Sequence, residues 1–274
     1  MKRTFFKIYY GPAFQSAQLE RRKLTIPPAL HALNGRSVLF MTDIHMSAMF
    51  PDDAVRRLIG QAAALEPDIV CYGGDFAETE EDQERLMPLL ARLRARIGSF
   101  AVLGNNDFEH LYHSSRGLVN ELNRIGIVAL VDTEARLDLP GGARLRVAGL
   151  NALPEGTRPP APFFSGEDSR DFRILMAHYP KSFMLHAGNC ASLPHLALAG
   201  HNHGGQFRFL GLTPFNIGFE KNKTSRALPV AGWTDVPGFP LLISPGVGTS
   251  RLPFRLNVPP TIHLITLECS EQTA

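Results

Sequence analysis

From residue 37 onward the chain alternates short, wholly apolar runs with stretches of helical periodicity. Ser37–Thr42 reads as a buried strand, and Val55, Leu58, Ile59, Ala62 and Leu65 then form one apolar face at helical spacing. Asp68–Tyr72 and Ser99–Leu103 predict the second and third strands. Between them the acidic stretch from Glu78 to Glu84 leads into a helix expected to kink or restart at Pro88. A third helix is expected over Ser115–Arg124. The rhythm then changes to strand and turn, over 127–131, 135–139 and 144–150, with Gly141-Gly142 as a turn signal. Residues 154–168 are rich in Pro and Gly and read as a loop, and 207–232 is loop-like with aromatic and basic residues interleaved. Phe172–Ala177, Leu196–Ala199, Leu241–Ser244 and Ile262–Leu267 are the remaining predicted strands. There is no internal repeat or linker. The pattern predicts one α/β domain over 1–274, with an N-terminal arm over 1–36.

The strands share a feature at their ends. The first three run into Asp43-Ile44-His45, Gly73-Gly74-Asp75 and Gly104-Asn105-Asn106-Asp107. Two later ones run into His178 and into Gly200-His201-Asn202-His203. In open α/β sheets, sites form beyond the carboxyl ends of strands, where loops gather side chains from distant sequence. Asp43, His45, Asp75, Asn105, His178, His201 and His203 are seven oxygen and nitrogen donors without a thiolate. A lone H-x-H pair carries little information; five such fragments in order carry much more.

Two divalent ions about 3.5–4 Å apart require a bridging carboxylate and mixed donors around it. Asp75 is the expected bridge. Asp43, His45 and His203 are assigned to one ion, and Asn105, His178 and His201 to the other. This donor set suits Mn, Fe or Zn rather than Ca or a lone Mg. A hydroxide shared by two such ions exists near neutral pH, which points to in-line attack on phosphorus and metal-assisted phosphoester hydrolysis.

Composition adds bounds to this picture. The 274 residues are 44% hydrophobic, enough for a substantial core, and the formal net charge of +2 gives no reason to expect a nucleic-acid polymer as partner. Cys71, Cys190 and Cys269 are odd in number and far apart, fitting neither a disulfide framework nor a structural zinc motif, so a reducing cytoplasm is expected. The start, Met1–Tyr10, is basic and aromatic without the apolar core of a signal peptide, and no run approaches about 18 apolar residues. It reads either as an edge strand or packed arm, or as a peripheral contact with an anionic membrane on its inner face.

The fragments D-x-H, G-G-D, G-N-x-D, a lone H and G-H-x-H, in this order, resemble the calcineurin-like metallophosphoesterases over residues 38 to about 267. Gly204-Gly205-Gln206 and the tail Ser244–Arg255 resemble a bacterial branch with membrane-associated phosphoesterases and enzymes that cleave UDP-2,3-diacylglucosamine in lipid A synthesis. The resemblance implies a four-layer α/β sandwich of two mixed β-sheets flanked by helices, with the dimetal site at one edge and the ligand allocation given above. It implies a phosphorylated small-molecule or nucleotide–lipid substrate. A general nucleotide or cyclic-nucleotide phosphodiesterase is the alternative, and a metal-binding scaffold without turnover is a third reading. Two departures stand out. Asn106 occupies the position of a histidine that contacts phosphate and can protonate the leaving group, and an amide cannot be that acid. A leaving group stable without a proton, such as phosphate from an anhydride, is then favoured. The second is that no N-terminal membrane helix like that of several relatives is expected from residues 1–36.

Other residues carry open readings. Asp107 is a helix cap or an acceptor orienting a ligand. His110 and His113 either reach phosphate or are exposed histidines. His178 is a ligand or a core histidine. Arg251 and Arg255 are expected on substrate phosphate, because Gly246 and Gly248 suggest a tight turn facing the site. Phe207, Phe209, Leu210, Phe215, Ile217 and Phe219 line an acyl groove or cover the late strands. Lys221, Lys223 and Arg226 bind a diphosphate or membrane surface, or are simply exposed. Cys71 is expected to pack in the core.

Overall fold

A computed structural model describes residues 7–10, 16–109, 116–152, 162–166, 168–186, 190–213, 228–250 and 252–270. In the strand β3 (Ser37–Met41) alternate side chains point to opposite faces. Val38 and Phe40 enter a core between two sheets, whereas Leu39 and Met41 enter a second core beneath helices. This is why its central residues are apolar without alternation: both faces are covered.

The other elements follow in chain order. β1 (Ile8–Tyr10) and β2 (Gln18–Ile26) precede β3, and α1 (Asp52–Ala63), β4 (Ile69–Tyr72), α2 (Glu80–Leu90) and β5 (Gly98–Ala101) follow it. Next come α3 (Asn106–Glu109), α4 (Arg116–Arg124), β6 (Ile127–Ala129), β7 (Thr133–Asp138), β8 (Arg144–Leu150) and β9 (Asp171–Ala177). α5 (Lys181–His186), β10 (Leu196–Ala199), β11 (Gly232–Val236), β12 (Phe239–Ile243), β13 (Phe254–Leu256) and β14 (Thr261–Cys269) complete the order.

Two six-stranded mixed sheets form the sandwich, in the orders β2-β14-β3-β4-β5-β6 and β11-β12-β10-β9-β8-β7. In the first, β3 to β6 run parallel, and β14 lies antiparallel to β3 and parallel to β2. In the second, β8, β9, β10 and β12 are parallel, with β7 and β11 antiparallel at the edges. The inter-sheet core contains Phe40, Cys71, Phe100, Phe172 and Leu198. The apolar faces of α1, α2 and α4 cover the first sheet, through Val55, Leu58, Ile59, Leu86, Leu90, Leu118 and Leu122. The second sheet's outer face is covered by Phe163, Phe164 and Phe183 of α5. β3, β4, β5, β9 and β10 therefore deliver their carboxyl ends to one end of the sandwich, while β2 and β14 run the other way.

Three sequence expectations change. α2 continues through Pro88 without a break. The proline lies two residues from the helix end, so it removes one hydrogen bond from a turn anchored by buried Leu86, Met87, Leu89 and Leu90. The region expected as an N-terminal arm contains β2, a nine-residue edge strand whose polar, outward-facing composition hid it. The late loop region ends in β11, pairing with β12 from Gly232 onward. Residues 8–10 take the edge-strand reading, antiparallel to β13. No helix among the described residues is long and apolar enough to cross a membrane.

Candidate metal centre

At the strand ends the backbone turns sharply. Asp43, His45, Asp75, His201 and His203 all have positive φ, between 46° and 70°. Non-glycine residues avoid this region, at a cost of about 1–3 kcal/mol each unless the surroundings enforce it. The enforcement is visible in the backbone: Asp43 N donates to Gly74 O (2.9 Å), His45 N to Asp75 O (3.0 Å) and Gly248 N to Asp43 O (2.7 Å). Gly200 is needed for space rather than for an unusual φ. A Cβ there would lie 2.4 Å from Asp43 Oδ2. Gly104 is similar, since its Cβ would meet Asp75 Oδ1 at 2.0 Å.

The turns bring two trios together, Asp43–His45–His203 and Asp75–His178–His201, each with ligating atoms within 4.8 Å of one another. His201 and His203 thus face one site but belong to different trios. Asp75 Oδ1 accepts Asn106 N–H (2.9 Å), leaving Oδ2 at 3.4 Å from His45 Nε2 and 3.3 Å from His178 Nε2. That oxygen stands between the trios, where a bridging ligand belongs. Asp43 accepts the Thr42 hydroxyl (2.7 Å) and His201 N–H (3.1 Å), and its Oδ1 lies 3.4 Å from His203 Nε2.

The ring tautomers are set from behind. His178 Nδ1 donates to Gly73 O at 2.8 Å, and His45 Nδ1 is paired with Glu78, so both rings turn Nε2 into the site. His45 Nε2 and His203 Nε2 are 3.1 Å apart, and His201 Nδ1 and His178 Nε2 are 3.2 Å apart. Ring nitrogens this close repel unless a proton or a cation lies between them. Asn105 Nδ2 donates to Asn106 Oδ1 (2.8 Å), while Asn105 Oδ1 is buried with no hydrogen-bond partner among the described residues. A buried carbonyl oxygen left open in the loop whose next residue donates to Asp75 fits a cation ligand.

The electrostatics agree. Burial pulls the His45 pKa down, but hydrogen bonds to Asp75 and Glu78 and the charges of Asp75 and Asp43 outweigh it and carry it up to about 10. His178 rises to about 9 against burial, chiefly through the Asp75 charge and hydrogen bond. Burial opposes ionisation of Asp75, yet His178 and His45 hold it well below the usual carboxylate range. Without cations, protons on histidine are drawn to this concentration of negative charge. His203 stays neutral: burial, then the charges of His45 and Arg255, hold its pKa well below the ordinary value.

Asp107 accepts backbone N–H groups from Gly104 (2.7 Å), Asp75 (2.8 Å) and Phe76 (2.9 Å), so its carboxylate ties the second and third ligand loops together. Burial and the Asp75 charge raise its pKa to about 7. Arg255 departs from its expected place on substrate. It is fully buried, and donates to Gly248 O (2.7 Å), Pro245 O (2.8 Å) and His203 O (3.3 Å), with Nη2 3.2 Å from His203 Nδ1. A 12-residue tail of glycines and arginines does not reveal which guanidinium faces inward. Arg251, His110, His113, Phe215, Ile217, Phe219, Lys221, Lys223 and Arg226 lie outside the described residues.

Glu78 was hidden in the sequence as one of several acidic residues before α2. It pairs with His45 and accepts from Asn106 Nδ2 (3.1 Å). Its place three residues beyond Asp75 is the only sequence signal. Asn106 stands beside the ligands with its Nδ2 committed to Glu78 and its N–H to Asp75.

A family model of the calcineurin-like phosphoesterases matches residues 36–205. YkuE of Bacillus subtilis, an uncharacterized metallophosphoesterase, is 24% identical over 265 residues, covering 94% of this chain and 89% of that protein. An uncharacterized metallophosphoesterase of Aquifex aeolicus is 26% identical, with 84% of each chain covered. The UDP-2,3-diacylglucosamine pyrophosphatase LpxG of Chlamydia trachomatis is 30% identical over 110 residues, 39% of this chain and 33% of that enzyme.

Proposed function

The chain belongs to the calcineurin-like phosphoesterase family, and on that premise we propose that its substrate is a nucleotide–lipid diphosphate, UDP-2,3-diacylglucosamine, cleaved to UMP and the lipid monophosphate. The coarser activity is that of a metal-dependent phosphoester hydrolase with two divalent ions. When bound, the ions supply a water nucleophile at neutral pH and offset charge on the non-bridging phosphate oxygens. Asp43, His45 and His203 would hold one, Asn105, His178 and His201 the other, with Asp75 shared. The mixed imidazole, carboxylate and amide donors suit Mn, Fe or Zn.

Asn106 carries the substrate reading. Its carboxamide has no proton to give to a departing alkoxide, and its Nδ2 is engaged by Glu78. In anhydride cleavage the water oxygen forms a bond to one phosphorus and the bridging P–O bond breaks. The electron pair leaves on a phosphate, and the surplus proton passes to solvent. Phosphate is a far weaker base than an alkoxide, so this step needs no acid at position 106. Phe209, Leu210 and Leu212 expose apolar surface just beyond His203 and Gln206, and support an acyl-bearing substrate met at a membrane surface. The partial similarity to LpxG supports the same reading.

The test is UMP release from UDP-2,3-diacylglucosamine by Mn-loaded protein at enzyme levels far below substrate. Turnover lost in Asp75→Asn, with the fold retained, is the expected result. No release alongside brisk hydrolysis of an aryl or cyclic-nucleotide diester would replace this substrate with the general phosphodiesterase. Absence of every phosphoesterase activity in protein that binds two ions would favour the scaffold.

A further inference from the structure

Behind the metal centre lies a second hydrogen-bonded series that the ligand set does not use. Ser244, at the end of β12, is completely buried, and its Oγ accepts Gly246 N–H at 3.0 Å. The same Oγ lies 2.9 Å from His263 Nε2, and His263 Nδ1 lies 3.2 Å from Glu20 Oε2 on the edge strand β2. The protons can be assigned. The Glu20 carboxylate only accepts, so His263 Nδ1 carries the proton that faces it, and Nε2 of that tautomer takes the hydrogen of the Ser244 hydroxyl. The order Ser–His–Glu matches that of a nucleophilic triad, but a serine with no exposed surface cannot meet a substrate. Its role lies in what Gly246 does.

The turn over 245–248 is the support under one half of the metal centre. Val247 N donates to Thr42 O (3.2 Å) and Gly248 N to Asp43 O (2.7 Å), fixing the residue that offers a carboxylate to the first trio. Pro245 O and Gly248 O accept from Arg255 at 2.8 and 2.7 Å, and Arg255 in turn holds His203 through O and Nδ1. Gly246 is packed so closely that a Cβ would lie 2.7 Å from Asp43 Cβ. A shift of this turn therefore moves Asp43 and Arg255 together, while Asp75, His178 and Asn105 are held from other strands and His201 meets Asp43 only through its backbone N–H (3.1 Å).

We propose that Glu20, His263 and Ser244 form a positioning relay that sets the 245–248 turn and, through it, the ion held by Asp43, His45 and His203. The inference rests on the two-ion reading of the site. It makes an edge strand on the far side of β14 a determinant of metal affinity, and it treats the two ions unequally.

The experiment compares Ser244→Ala, His263→Leu, His263→Gln and Glu20→Ala by two readouts that need no turnover. The first is hydrogen exchange of the Val247 and Gly248 amides in metal-free protein. The second is Co2+ titration followed by the cobalt absorption bands. Ser244→Ala and His263→Leu are expected to speed exchange at 247–248. They should weaken one of the two ions about tenfold, the low end for supporting partners of metal ligands, and leave the other unchanged. His263→Gln, whose amide can accept from Ser244, should restore most of both. Glu20→Ala, on a half-exposed residue, keeps the fold secure should a core variant fail to fold, and should show the same pattern to a smaller degree. Exchange and both affinities equal to wild type in these variants would overturn the relay, as would equal weakening of both ions. Wild-type protein that takes up fewer than two ions would bring down the two-ion reading instead, with exchange at 247–248 then deciding the relay alone.

Discussion

The Asp107 carboxylate receives the backbone N–H of Asp75 at 2.8 Å, so the residue expected to bridge two ions is oriented by a second aspartate 32 positions away. Phe76 and Gly104 complete the grip on the same carboxylate. The carboxylate thus holds the Asp75 loop to the loop that enters α3.

Asp107→Asn should therefore be far from conservative. The amide turns an N–H towards a set of N–H groups, leaving at least one buried donor unsatisfied at about 1–3 kcal/mol. The expected outcome is a lowered urea midpoint at unchanged m-value, together with weakened uptake of both ions because Asp75 Oδ2 lies against His45 of one trio and His178 of the other. A wild-type midpoint would show that the three N–H groups find other partners.

Glu78→Ala addresses the ring behind the first ion. Removing the acceptor frees His45 to rotate or change tautomer, and loss of such partners lowers metal affinity about 10–100-fold. Metal titration should show one ion weakened by that range, with Glu78→Gln intermediate because its amide oxygen can still accept from Nδ1. Both ions binding as in wild type would remove Glu78 from the centre.

A buried ion network away from the site gives a stability prediction. Arg146 is buried against Glu134 (2.6 Å) and Asp171 (2.9 Å). Truncating it in Arg146→Ala leaves Glu134 with Arg136 (2.8 Å) and Asp171 with Arg144 (3.2 Å) as their remaining ion partners, and should cost about 3 kcal/mol, the low end for a broken buried pair. Chemical denaturation checks the loss, and metal titration of the folded fraction should be unchanged.

Much of this was written in the sequence, for a physical reason. The strands that end in the candidate ligands are covered on both faces, so they stand out as unbroken apolar runs, and the abrupt change to Asp, His or Asn marks their ends. β2 lacks that signature, since an edge strand with a solvated face can be polar along most of its length. Glu78 and Arg255 were out of reach for another reason. Each sits among residues of the same charge, and only the closed fold selects the one that faces inward. The positive φ of Asp43, His45 and the others was equally invisible, because side-chain type does not report a strained backbone imposed by neighbouring loops.

His195 supplies a pH dependence separate from the metal. It stacks on Phe172, and its Nδ1 accepts Arg173 N–H at 3.1 Å, a bond only the neutral ring can make. Burial first, then the Arg173 charge, lower its pKa from 6.5 to about 4. The unfolded chain thus binds a proton between those values that the folded chain refuses, and stability must fall as pH drops from about 6.5 towards 4. His195→Asn keeps an acceptor without the titration. Urea midpoints at pH 7 and pH 4.5 should differ less in the variant than in the wild type, and equal differences would remove His195 from the acid response.

Asn106→His tests the chemistry itself. The backbone N–H of Asn106 rests on Asp75 Oδ1 at 2.9 Å, so any side chain at this position starts from a backbone anchored next to the residue expected to bridge. A histidine there introduces a group able to protonate a leaving oxygen, an effect worth about 10²–10⁴-fold when well placed. Alkyl monoesters depart as strong bases and should gain most, by about 10²-fold in kcat/KM. An anhydride departs as phosphate and should gain little. The measurement is the ratio of monoester to anhydride turnover in wild type and variant under identical metal loading. A raised ratio at undiminished anhydride cleavage supports Asn106 as the source of the preference. An unchanged ratio would mean that the leaving group is protonated from elsewhere, and Asn106 would no longer point to an anhydride substrate.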